Sequence, residues 1–219
     1  MVVVHLSVEE FNMGKYIGPK NKIARRFGVN LGLKSNAAKV ARRLSQPPGQ
    51  HGPKKRAGAS SSYGKQLLEK QKAKLIYGLR EKQFRAYVVE ANRREGDSGV
   101  NLQRILETRM DNVIYRLGIA DTRAQARQFV SHNMFTLNGK KMNIPSHLVK
   151  IGDVIGLKEN KQKKQIFENL TEKLSKVNAP SWLSIDAKAK SGKVLSLPME
   201  ADFDKIFDVK LIVEFYSAR

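Results

Sequence analysis

Residues 107–157 read ETRMDNVIYRLGIADTRAQARQFVSHNMFTLNGKKMNIPSHLVKIGDVIGL, and this stretch decides the fold. Leu102, Ile105, Leu106, Met110, Val113, Ile114 and Leu117 recur at helical spacing and mark one buried stripe. Gly118 stands where that helical run should stop. Thr122-Arg123-Ala124-Gln125 has the form of a capping box, with Thr122 accepting from a free backbone N–H and Gln125 reaching back. The helix it opens shows Ala126, Phe129 and Val130 at i, i+3 and i+4, with Arg123 and Arg127 on a flanking stripe. Met134–Leu137 and Lys140–Met142 bracket Asn138-Gly139, the pair that a type I′ hairpin turn favours because both central residues need positive φ. After Ile151-Gly152-Asp153, Val154–Leu157 reads as a closing strand. The unit is two short helices, a hairpin and one more strand.

Its polar residues collect on the second helix and the hairpin: Arg116, Thr122, Arg123, Arg127, Ser131, His132, Asn138, Lys140 and Lys141. Guanidinium forks and short donors on one small face fit the phosphates of a folded nucleic acid. A solvated polar face is the plain alternative, and the charge of the whole chain decides between them. Lys and Arg number 41 against 20 Asp and Glu, a formal net charge of +21 on 219 residues. Excess of that size destabilises a compact chain unless an anion neutralises it. Nucleic acid is the first expectation and a membrane surface the second. No apolar run approaches the ~20 residues that span a bilayer, and no basic amphipathic helix carries exposed aromatics. The length suits one or two domains. Cysteine is absent, which removes disulfides and thiolate metal sites. His5, His51, His132 and His147 have no ligand spacing, so no metal and no cofactor is expected.

The segment 11–68 has no Asp or Glu. It carries Lys15, Lys20, Lys22, Arg25, Arg26, Lys34, Lys39, Arg42, Arg43, Lys54, Lys55, Arg56 and Lys65 among turn formers such as Pro47-Pro48-Gly49 and Gly52-Pro53. The reading is an arm that threads over RNA and is partly disordered without it. Helices are expected over Ser60–Tyr77 and about 80–94, the second with Phe84, Tyr87, Val88 and Ala91 inward. Arg80, Lys82, Arg85, Arg93 and Arg94 surround that face. Another helix is expected at about 163–177, with Phe167, Leu170 and Leu174 inward. Short strands are expected at Leu183–Ile185, Lys193–Leu197 and Lys210–Phe215, forming a sheet edge near the first helical domain.

In order and spacing, TRMDNVIYRLG, TRAQARQFVSH, LNGKKMNIPS and GDVI resemble the small RNA-binding module of the ribosomal protein S-four family. RNA-modifying enzymes and a heat-shock RNA binder share that module. YGKQLLEKQKAKLIYGLREKQFRAYVVEA, residues 63–91, matches a longer signature of the ribosomal family itself. MGKYIGPK from Met13, Pro48-Gly49-Gln50-His51-Gly52, Pro180-Ser181-Trp182-Leu183 and the closing LIVEFYSAR match it too. The resemblance runs from Met13 to Arg219, so Met13 is expected to be the functional start or 1–12 a short extension. Departures are the missing cysteines, which exclude the zinc site found in many members, and Asn133 in place of the usual Gly. Asn tolerates the left-handed conformation better than any residue except Gly.

The resemblance implies an α+β fold with an extended basic arm over 1–58. A mostly helical domain over 59–100 is completed by C-terminal strands within 180–219. An inserted α/β module with its following helix takes 101–179. It implies a cytoplasmic, ribosome-associated constituent of the small subunit, monomeric within the ribosome. Such a protein binds the five-prime domain of small-subunit rRNA early in assembly and has the proteins S-five and S-three as neighbours. The expected rRNA contacts are Arg25, Arg26, Arg42, Arg43, Lys65, Lys70, Lys72, Arg80, Arg85, Arg109 and the nine polar residues of the module. By the same resemblance Lys54, Lys55 and Arg56 grip messenger RNA where it enters the small subunit. The acids Glu200, Asp202, Asp204 and Asp208 are a candidate site for a basic neighbour such as S-five. An enzymatic alternative, an RNA pseudouridine synthase, has a superficial echo in Arg109-Met110-Asp111. Asp111 lies inside the module, where it can cap or pair with Arg109, and no further domain of catalytic size follows. A rescue-type RNA binder would lack both the arm and the 63–91 signature.

Overall fold

The computed structural model describes residues 16, 18–50, 52 and 61–217. Within it, the apolar stripe that starts at Leu102 divides at Thr108. Helix α5 (Ser98–Glu107) ends there and α6 (Met110–Arg116) begins after an extended Arg109. A continuous helix would send the N–H groups of Met110 and Asp111 back to carbonyls four residues earlier. They donate instead to His147 O at 2.8 Å and Pro145 O at 3.1 Å, so the loop around residues 145–147 takes over the helix's own bonds. One stripe thereby serves two cores.

The first core takes Leu102, Ile105 and Leu106. Around them lie α3 (Ser62–Ile76), α4 (Glu81–Arg93) and α10 (Val209–Ser217), supplying Ala73, Ile76, Phe84, Val88, Ala91 and Ile212. α5 belongs to this core, although the sequence reading placed residues from 101 onward with the module. The described part of the arm contains local helices. α1 (Lys20–Phe27) and α2 (Ala37–Ala41) form in it, and Ile23 and Leu31 reach the same core. Arg25 links two parts of the arm to each other by donating to Gln46 O at 2.8 Å and Pro47 O at 3.0 Å.

The second core holds Met110, Val113, Ile114 and Leu117 with Ala126, Phe129 and Val130 of α7 (Arg123–Ser131). They cover one face of an antiparallel sheet. Its strands are β1 (Phe135–Leu137), β2 (Lys140–Met142), β3 (Val154–Leu157), β4 (Leu183–Asp186) and β5 (Ser191–Val194), in the order β2-β1-β3-β5-β4. Asn138 and Gly139 turn the hairpin with φ of 50° and 77°.

Three C-terminal expectations need correction. β4 and β5 do not form an edge near the helical domain. They extend the module's sheet, because β3 offers a free edge that β5 covers in the register Val154↔Lys193 and Ile155↔Gly192. Trp182, Leu183 and Val194 follow into the module's core. Residues 210–215 are not a strand but lie in α10, so a helix rather than strands completes the first domain. Ile212 and Phe215 are both buried, three apart, which is helical spacing, and burial overrides the strand preference of this β-branched, aromatic run. In place of the expected helix over 163–177 there are a 3-10 turn at Gln165–Phe167 and a short α9 (Leu170–Ser175), preceded by one turn of helix, α8 (Glu159–Gln162). Phe167, Leu170 and Leu174 are nonetheless buried, with Phe167 edge-on to Phe129 at 5.3 Å between ring centres.

Candidate nucleic-acid interface

The arginines singled out in the module lie where the two cores meet, and they are occupied. Arg109 is 1% exposed and grips Asp111 with two parallel bonds, Nε to Oδ1 at 3.0 Å and Nη2 to Oδ2 at 2.7 Å. Its Nη1 donates to the Tyr87 hydroxyl. Arg127 shares Asp111 Oδ2 at 2.7 Å and caps the end of α3, donating to Gly78 O at 2.6 Å and Tyr77 O at 3.0 Å. Arg116 forks onto Glu107 at 2.8 and 3.0 Å and reaches Asp204 at 3.1 Å. Arg123 donates to Asn112 Oδ1 at 2.7 Å and Asp204 Oδ2 at 2.8 Å. Its guanidinium also lies over the Tyr115 ring, 4.5 Å from the centre.

Buried charge is tolerable only when paired and fully bonded. Glu107 meets that condition: besides Arg116, it accepts from the Tyr77 hydroxyl at 2.6 Å and Asn112 Nδ2 at 2.9 Å. Burial, then the Glu107 carboxylate, hold the Tyr77 phenol well above its ordinary range. Burial works against the charge on Arg123, yet Tyr77, Glu107 and Asp204 outweigh it and raise its pKa. Burial likewise opposes the Asp204 carboxylate, and Arg116 with Arg123 overcomes it and holds that pKa low. The planar fork of Arg suits such two-pronged pairing.

Arg109, Arg116, Arg123 and Arg127 are therefore spent inside the protein. Asp111 pairs with Arg109 as one reading of the sequence anticipated, and with Arg127 as well. Lys70 and Lys72 are also committed, to Glu81 at 3.0 Å and Glu69 at 2.6 Å. Thr122 caps α7, accepting from Gln125 N at 3.2 Å, while the Gln125 side chain reaches back to Asp121 N. Ser131 Oγ donates to Arg127 O, and Asn138 braces its turn by accepting from Val154 N and donating to Asp153. The acidic patch is used internally only in part. Asp204 belongs to the arginine network, whereas Asp202 accepts from the neutral donors Ser181 Oγ and Met199 N, and Glu200 and Asp208 are exposed.

A second set stays on the surface. Arg26, Arg42, Arg43, Lys65, Arg80, Arg85, His132, Lys140 and Lys141 are exposed. Among the described residues Arg42, Arg43, Lys65, Arg80, Arg85, Lys140 and Lys141 have no carboxylate within ion-pair distance. Two cations are not among the expected contacts: Lys158, directly after β3, and Lys161 in α8. Nothing local distinguishes them from the lysines that follow. His51, Lys54, Lys55, Arg56 and Met13 lie outside the described residues. Among the described residues no group of His, Asp and Glu could hold a metal ion, and no helix is long and apolar enough to cross a membrane.

The pattern of the ribosomal protein S4/S9 N-terminal domain matches residues 15–107, and that of the S4 domain matches 108–155. The boundary between the two falls at the break between α5 and α6. Small ribosomal subunit protein uS4 of Herpetosiphon aurantiacus is 50% identical over 210 residues, covering 94% of this chain and all of the relative. The proteins of the same name from Heliobacterium modesticaldum and Burkholderia vietnamiensis are each 47% identical, again over 94% of this chain and their whole length. The chain belongs to the uS4 family. These relatives are ribosomal proteins and not enzymes, which sets the pseudouridine synthase alternative aside. Within the family frame, residues 15–107, ending with α5, match the N-terminal domain, and α6 lies in the S4 domain. The arginine network bridges the two, with Tyr77 and Glu107 on one side and Arg116, Arg123 and Arg127 on the other.

Proposed function

We propose that this chain is a structural, RNA-binding constituent of the small ribosomal subunit and holds the five-prime domain of small-subunit rRNA during assembly. The observation that carries this is the separation of charges. Acids are spent on buried arginines at the joint, and surface cations on the arm, the helical domain and the hairpin are left without partners. Such cations favour a polyanion through counterion release and need no catalytic group. Arg42, Arg43, Lys65, Arg80 and Arg85 form one contact surface in this reading, and His132, Lys140 and Lys141 another. The arginine joint fixes the distance between them. Two surfaces held at a fixed spacing favour one geometry of converging RNA helices, because the second contact becomes intramolecular once the first has formed. The same reading keeps Lys54, Lys55 and Arg56 for incoming messenger RNA, with S-five and S-three as protein neighbours and a cytoplasmic, ribosome-bound location.

The test is equilibrium binding of the full chain to a transcript of the five-prime domain over a series of salt concentrations. Binding should weaken by about 0.7–0.9 log units per contacted phosphate for each log unit of salt. No binding in dilute buffer, or binding indifferent to salt, would overturn the reading.

A further inference from the structure

The open face of the module's sheet carries a group of cations that the structure has arranged rather than scattered. Along β3, Ile155 and Leu157 point into the core, so Val154 and Gly156 point away from it, and the alternation sends Lys158 out on the same side. Thr136 lies opposite Gly156 on one side and opposite Lys141 on the other, so Lys141 shares that outer face. Between the cations the surface is low. Gly156 has no side chain, and a Cβ there would stand 3.2 Å from Thr136 Oγ1. Ser191, opposite Gly156 on β5, continues the shallow floor.

Lys158 is held in place. Its backbone N–H donates to Met134 O at 3.0 Å, and its ammonium donates to Asn133 Oδ1 at 2.9 Å, leaving two ammonium hydrogens unused. Asn133 sits at φ 62°, where a glycine would serve the backbone at lower cost. Its side chain gives a reason for Asn at that turn: it fixes the amine. Lys161 follows in α8, its N–H bonded to Lys158 O at 2.9 Å.

We propose that Lys141, Lys158 and Lys161 form a seat for an RNA phosphodiester on this face, with Asn133 as the residue that aims the central ammonium. The proposal rests on the RNA-binding reading above and deepens it. Partial desolvation, then repulsion from Lys141 and Lys161, push the Lys158 ammonium below the usual lysine range. Among the described residues no carboxylate lies within ion-pair distance of these three ammonium groups. A bound phosphate would relieve that repulsion, and the small floor residues let a sugar–phosphate backbone approach between the amines.

The experiment compares the full-length chain with Lys158→Ala, Lys141→Ala and Asn133→Gly for binding to the five-prime-domain transcript across salt. Circular dichroism confirms that each variant is folded. Each lysine variant should bind more weakly, and its salt slope should fall by about 0.7–0.9, the loss of one phosphate contact. Asn133→Gly keeps every charge, so it should weaken binding with the slope unchanged. In parallel, the Lys158 ammonium signal is followed by NMR against the transcript and against inorganic phosphate alone, and its pKa should rise with the transcript. Lysine variants that match the wild type in affinity and slope, while the wild type still binds steeply, would overturn the seat and leave the general reading standing. A signal that responds to inorganic phosphate but not to the transcript would overturn the assignment to RNA. A wild type that does not bind the transcript would remove both.

Discussion

The arginines at the joint and the lysines at the end of the sheet belong to one small module and carry the same charge, yet they have opposite fates. Arg109, Arg116, Arg123 and Arg127 are drawn inward by Glu107, Asp111 and Asp204, each carboxylate accepting from more than one donor. Lys140, Lys141, Lys158 and Lys161 lie on or beside a sheet face with no acid near enough to pair. A guanidinium can satisfy several acceptors at once in a buried joint, whereas an ammonium on a flexible stem keeps its hydration at little cost on an open face. The difference shows that the positive residues of a nucleic-acid-binding protein divide into those that hold its shape and those that meet its ligand. Position in sequence does not sort them; the supply of carboxylates does.

Removing Glu107 should break this contrast most severely. Glu107→Ala strips Arg116 and the Tyr77 hydroxyl of their partner in a buried place, which costs about 3–5 kcal/mol by analogy with broken buried pairs. Urea unfolding would register it, and a loss within ~0.5 kcal/mol, the range of ordinary surface changes, would mean the joint is not the anchor described. Next in size is α10, which closes the core on the joint's other side. Ile212→Ala should cost about 2–5 kcal/mol, while Leu211→Ala, on a less buried flank, should cost less; the reverse order would restore the strand.

Replacing Lys140 and Lys141 together with Ala should leave stability within about 0.5 kcal/mol but weaken RNA binding and flatten its salt dependence. A large loss of stability with unchanged binding would invert the assignment of roles. The last effect expected is on acid stability. Glu81 accepts from Tyr216, Lys74 and Lys70, and although burial alone would raise its pKa, these partners lower it from 4.5 to about 2. A depressed carboxylate pKa contributes stability above the unfolded value, and that contribution is lost as pH falls from about 4.5 towards 2. Glu81→Gln should therefore lose stability at pH 7 and show a shallower decline through that window; an identical pH profile would remove Glu81 from the linkage.

Some of this was legible because it is local. The capping by Thr122 and the Asn138-Gly139 turn need only neighbours within a few residues, and both formed. So did α4, whose apolar spacing was plain, and α3, although its buried side includes Lys70 and Lys74 beside Ala73 and Ile76. What could not be read depends on distant partners. Asp204 lies 81 residues from the Arg123 it neutralises, and Arg127 reaches back 50 residues to Tyr77. An arginine stripe looks the same in sequence whether an acid arrives from elsewhere or not. The acids inside the apolar run, Glu107 and Asp111, were the one available warning, since charge on a buried stripe implies a buried partner. α10 was misread for a related reason. Its β-branched and aromatic residues suit a strand until α3 and α5, far earlier in the chain, bury them at helical spacing.

Residue-specific chemical modification of the full chain, read by mass spectrometry with and without the five-prime-domain transcript, tests the division of labour most directly. Lys140, Lys141, Lys158 and Lys161 should react with an amine reagent in the free protein and be shielded by RNA. Arg109, Arg116, Arg123 and Arg127 should resist a guanidinium reagent in both states. Arginines that react freely and become shielded by RNA, beside lysines indifferent to it, would contradict the assignment.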